Sequence, residues 1–188
     1  MTLFEYMSVG VVIVLSFGVV RILDGAPSAF HREKRYWPHC LWVAIKFLNH
    51  FQFFWMLWGT RDGHWTFVAF LAQLSIPVVL YLQASALVSS LPNSIEDWRA
   101  HFYSVRRRFF ALNMVFGILN GGVFALPTGG SPPLPVLAVC LSVVALSAIA
   151  FRWDSHRVQS TIVLLLALLN VVVIAGLIMA PPQFVDAV

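Results

Sequence analysis

The sequence predicts an all-α integral membrane protein, a bundle of six transmembrane helices with both termini on the outer face. Three observations predict it. Of 188 residues, 60% are hydrophobic and only 11% charged, where a soluble domain carries about 25% charged residues. Mean hydropathy is +0.82, and the apolar residues fall into six runs long enough to cross a bilayer core of ~30 Å, which takes roughly 20 residues per helix. The cations are sorted onto alternate connections between those runs. This composition excludes disorder, which needs low hydrophobicity and high net charge. Two cysteines exclude a disulfide scaffold, and the apolar bulk excludes a soluble nucleic-acid binder.

The six spans are expected at about 2–23, 38–58, 65–91, 109–126, 134–151 and 161–179, in one domain of residues 1–188. The first is carried by MSVGVVIVLSFGVV. The second opens at Pro38, a residue suited to a first helical turn, and is rich in aromatic and polar side chains. Gly59 and Gly63 mark a tight connection, Pro92 closes the third span, and PTGGSPPLP predicts an extended connection before the fifth. Pro77 predicts a kink within the third span. A β-barrel would need alternating segments of about ten residues, and VLLLALLNVVVIAGLIM has no alternation.

Orientation follows from the cations. Arg21, Arg32, Lys34, Arg35, Arg99, Arg106, Arg107, Arg108, Arg152 and Arg157 lie on the connections after spans one, three and five; the opposite face holds Arg61, and Lys46 lies inside a span. By the positive-inside rule the basic connections face the cytoplasm. The first helix is read as retained, since Glu5 precedes its apolar run and Arg21 follows it, the reverse of a secretion signal. This topology puts Cys40 and Cys140 most of a bilayer apart, too far for a disulfide. Both are expected to be packing residues.

The second span holds the candidate chemistry. At about 100° per residue, His39, Lys46, His50, Phe53 and Leu57 share a face, with Trp42 and Asn49 on its shoulder. A lysine inside a span costs ~2.5–3.5 kcal/mol on insertion scales, so it asks for a reason. Two readings stand: Lys46, Asn49, His50 and His39 line a polar path or an anion site, or Lys46 snorkels to the inner headgroups. No acid sits at its depth. Gln52, Gln73, Gln83, Asn113, Asn120 and Asn170 are expected as interhelical glue. Asn113 and Asn120 share a face with Gly117 and Gly121, a small-residue pattern for close helix packing. A haem site needs opposed imidazoles, and no other span carries a core histidine. No cofactor, metal site or catalytic motif is expected, and the chain is read as a non-enzyme.

The stretch NSIEDWRAHFYSVRRRFF is amphipathic. Its Arg106, Arg107 and Arg108, with Arg32, Lys34 and Arg35 of the first connection, are candidate contacts for anionic lipid headgroups or a protein partner. Asp97 and His101, four residues apart, are the least favoured reading, an embedded lipid-modifying site. Trp37, Trp58, Trp65 and Trp153 suit membrane interfaces.

YWPHCLWVAIKFLNHFQFFWMLWGTRDGHWTFVAFL, followed by LYLQASAL and WRAHFYSVRRRFF, resembles a group of short bacterial multi-pass proteins of unknown function, best over residues 1 to 110. The resemblance implies a bacterial inner (plasma) membrane and brings no activity or cofactor. Permeation or sensing of a small solute, ion or proton through the polar face of span two is the first expectation. The alternative is a non-catalytic membrane subunit or scaffold that meets lipid, a second copy or a partner protein through its basic hairpins. Nucleic acid is not an expected partner.

Overall fold

The computed structural model describes residues 2–89, 94–123, 126 and 131–179. Six helices account for the described fold: α1 (Leu3–Ala29), α2 (Trp37–Leu57), α3 (Phe67–Leu87), α4 (Trp98–Val123), α5 (Leu134–Arg152) and α6 (His156–Met179), with a 3-10 turn, Trp58–Thr60, after α2. Five of the six are long and apolar enough to cross a membrane. The exception, α4, carries Arg99, Arg106, Arg107 and Arg108 in its first half.

Successive helices run up and down. Cys40 near the start of α2 bonds the carbonyl of Ala29 at the end of α1, and Tyr36 reaches His156 at the start of α6. At the other end, the Phe4 ring of α1 meets Trp58 and Trp65. One end of the bundle therefore gathers the basic connections. Helix α2 sits between α1, α3 and α6, while α4 bridges α3 and α5. The surface is as apolar as the core: Val9, Ile13, Phe17 and Val20 of α1 and Leu164, Leu168 and Val171 of α6 are exposed, while Gln73, Gln83, Asn113 and Ser147 are buried. That is the reverse of a soluble protein's sorting and suits hydrocarbon surroundings.

Several boundaries differ from the sequence reading. Helix α1 continues six residues beyond Leu23, through Pro27 to Ala29, because Gly25 lets it lie directly against Val88 at the end of α3. Helix α3 spans 67–87 and stays helical through Pro77; Pro92 and the PTGG of the fifth-span connection lie outside the described residues. The amphipathic stretch and the fourth span form one helix. Trp98, Phe102, Arg106, Phe109, Asn113 and Gly117 make a single buried stripe along α4, at helical spacing and with no breaker between them. At ~1.5 Å per residue, α4 is longer than its apolar half needs. Helix α6 likewise begins five residues before the expected Thr161.

Thr2 and Glu5 close a capping box at the start of α1, satisfying two orphan amides. Gly117 faces α5, where an added Cβ would stand 2.8 Å from Val144 and 3.1 Å from the Cys140 carbonyl. The small-residue face thus brings α4 and α5 together, as its pattern predicts.

Candidate functional site

Between α2 and α4 on one side and α5 and α6 on the other lies a cavity of about 410 Å3, within the range of small-molecule sites. Its α2 residues run from Trp42 to Met56, its α4 residues from Asn113 to Asn120, and its α5 residues from Pro135 to Val143. It therefore occupies the half of the bundle away from the basic end. A smaller space of about 100 Å3 shares Phe53, Met56, Asn120 and Val136 with it and reaches Thr60 and Pro133.

One wall is polar, and Lys46 organises it. Lys46 is 2% exposed, and its Nζ donates to Asn113 Oδ1 of α4 at 2.6 Å and to Asn49 Oδ1 at 3.2 Å. From Asn49 the chain of donors continues: Asn49 Nδ2 to Gln52 Oε1 at 2.8 Å, then Gln52 Nε2 to Asn170 Oδ1 of α6 at 3.3 Å. On the other side, Asn113 Nδ2 donates to Ser147 Oγ of α5 at 2.8 Å, and Asn113 Oδ1 also accepts from Gln83 of α3. Five helices are joined by this network. The Phe116 ring completes the surroundings of Nζ, 4.6 Å from centroid to nitrogen, within cation–π reach.

Snorkelling does not describe this lysine. Its ammonium leans toward Asn49 and α4, away from the basic end to which a snorkelling chain would reach. The four candidate lining residues also part company. Lys46 and Asn49 line the cavity, whereas His50 and His39 do not. His50 Nδ1 donates to the Lys46 carbonyl at 2.7 Å, and its Nε2 points at Gly18 of α1, where a Cβ would stand 2.1 Å away. His39 Nε2 donates to the Leu87 carbonyl at 2.9 Å and stacks on Trp98. Lys46 and His50 thus share a helical face but serve opposite neighbours, and no relay joins them.

The basic end is also differentiated. Arg107, Arg108, Arg32 and Arg35 are exposed. Arg106 is 5% exposed, and its guanidinium donates to the carbonyls of Ala150, Phe151 and Trp153 at the end of α5. Gln159 shares two of these acceptors. Arg106 is therefore a helix C-terminal cap, where positive charge suits the dipole, and has no face for a headgroup. Lys34, half-buried, reaches the Ile95 carbonyl, and Arg21 reaches that of Val88.

Asp97 and His101 do not converge on a common point. Asp97 accepts from the Arg99 amide at the start of α4, and His101 Nε2 meets the same Leu87 carbonyl as His39, at 3.2 Å. Burial holds the His101 imidazole below its ordinary pKa, opposed by the Leu87 and Ala86 carbonyls. Tyr36, whose hydroxyl lies 2.8 Å from His156 Nδ1, is pushed above the usual phenol value by burial and by its bond to Tyr103. Both cysteines are free and buried: Cys40 bonds Ala29, and Cys140 lines the cavity.

Sequence reasoning took Gln52, Gln83, Asn113 and Asn170 as separate pieces of glue and passed over Ser147. The available signal was amides at similar depth on four spans, but their convergence on one lysine depends on how the helices rotate. No known protein family, curated protein or solved structure matches the chain.

Proposed function

We propose that the chain is a multi-pass protein of a bacterial inner (plasma) membrane, with six spans and both termini outside, that admits a small solute to the cavity beside the polar face of α2, for permeation or sensing. The observation that carries this reading is the cavity wall itself. A buried cation in a polar network that joins five helices is costly to keep in hydrocarbon, and it stands on the polar wall of a mainly apolar space large enough for a ligand. Five helices of sufficient length and hydropathy, and cations gathered at one end, support the membrane placement. The apolar half of α4 serves as the remaining span. The chain then works by binding, without bond-making chemistry.

In proteoliposomes loaded with a pH- and anion-sensitive dye, Lys46→Leu should abolish solute or proton flux while the variant still elutes as a folded species. A variant that conducts like the wild type would sink permeation through this face. A second reading is favoured by the exposed Arg32, Arg35, Arg107 and Arg108: a non-catalytic subunit or scaffold docking anionic headgroups or a partner protein. Neutralising those four should remove co-purifying anionic lipid or partner, and unchanged association would count against it.

A further inference from the structure

Among the described residues, Lys46 is the one charged residue on the cavity wall, and its charge bears on what the cavity would hold. A lysine ammonium has three donors. Two of Lys46's go to Asn49 and Asn113, and the remaining side faces the Phe116 ring. None of the eight acidic residues falls within α2 to α6, so no carboxylate of these helices neutralises it. Each amide along the wall has one N–H bonded within it, Asn49 to Gln52, Asn113 to Ser147, Asn120 to the Phe116 carbonyl, and Gln52 and Asn170 to each other, and each keeps a second N–H. A bound head therefore finds one cation with only neutral amides beside it. That suits a single negative charge; a phosphate dianion would bring a second charge with no second cation to answer it, which is costly.

The facing wall is aliphatic. Val136, Val139 and Val143 of α5 and Leu166, Leu169 and Val173 of α6 form two ridges at helical spacing. Resting on the cavity reading above, we propose that the site takes a monoanionic amphiphile, a carboxylate on a single alkyl chain, with its head on Lys46 and its chain along these ridges. A ligand arriving from the bilayer gains little from burying its chain, since lipid is equally apolar. The head decides affinity.

Cys140 on the cavity wall supplies the reporter. In a Cys40→Ser background, held in nanodiscs of zwitterionic lipid at neutral pH, the rate of Cys140 alkylation by N-ethylmaleimide is measured with dodecanoate, dodecanol or dodecyl phosphate. Saturating dodecanoate should slow alkylation about tenfold or more, the order expected from a buried charge contact, with dodecanol giving less than about a fifth of that protection. Lys46→Met should remove the protection, and so should Asn113→Asp, which gives Lys46 an internal counter-charge; two variants keep the test open if one fails to fold. Equal protection by dodecanol, or protected alkylation in a folded Lys46→Met protein, would overturn the proposal. Stronger protection by dodecyl phosphate would overturn the carboxylate assignment. Alkylation that no amphiphile slows would overturn the ligand class and leave the cavity reading intact. A wild-type Cys140 that maleimide cannot reach would sink the cavity reading and this inference with it.

Discussion

Two buried cations, 60 positions apart in sequence, are treated in opposite ways. Arg106 meets three backbone carbonyls at the C-terminus of α5, so its charge is answered by the negative end of a helix and by acceptors that would otherwise be orphaned. Lys46 meets two amide oxygens and a phenyl face beside an open space. The surroundings differ accordingly. Around Arg106, Trp98, Phe102, Phe109 and Phe110 are wholly buried in one core, whereas past Lys46 a cavity lies between α2, α4, α5 and α6. A cation that serves the fold has its acceptors built in. Lys46 instead has two amide acceptors and a place on a cavity wall.

The sharpest way to break this comparison is to convert each cation to methionine. Arg106→Met leaves three buried carbonyls short of a charged donor and should cost about 3–5 kcal/mol, read by SDS unfolding or a thermal scan in detergent. Lys46→Met removes a desolvated charge while keeping the side chain's length, and should be neutral or stabilising by up to about 2 kcal/mol. If both variants lose similar stability, Lys46 is a structural group like Arg106, and the contrast disappears.

A smaller effect tests the packing that holds the basic end together. Gly25→Ala would place a Cβ 1.6 Å from Val88 Cγ1, and overpacking of this kind costs about 1–3 kcal/mol. Val88→Ala should recover most of that loss in the double variant. Failure to rescue would mean that α1 and α3 do not meet closely there.

The smallest expected effect is in pH. Burial lowers the His101 pKa in the folded protein, so the unfolded chain takes up its proton first as the medium is acidified. Stability from this group is therefore present above the ordinary imidazole value of about 6.5 and is lost as pH falls below it. The thermal midpoint should drop between neutral pH and about pH 5, and His101→Gln should reduce the drop. An unchanged pH dependence would show that this imidazole is not desolvated beneath Trp98 and His39.

Much of the fold is legible in the residues because hydrocarbon imposes a simple requirement. Each span needs a run of apolar side chains, so α2 and α5 are found nearly to the residue. The ends of α1, α4 and α6 are not, since helices outlast their apolar runs where a neighbour covers them: Gly25 beneath Val88, or Trp98 and Phe102 in the core. The site was legible only in part. Periodicity put Lys46, Asn49, His50 and His39 on or beside one face of α2, but a face some 100° wide meets more than one neighbour. His50 turned to α1, His39 to α3 and Lys46 to α4.

The sequence by itself determined that the chain is helical, that its helices suit a membrane, and which connections share the basic end, because hydropathy and charge act residue by residue along the chain. Only the tertiary structure decided that Arg106 is consumed by α5 while Lys46 lines a cavity. Those outcomes depend on the rotation and spacing of helices that are distant in sequence, and side-chain type alone carries no information about what stands opposite.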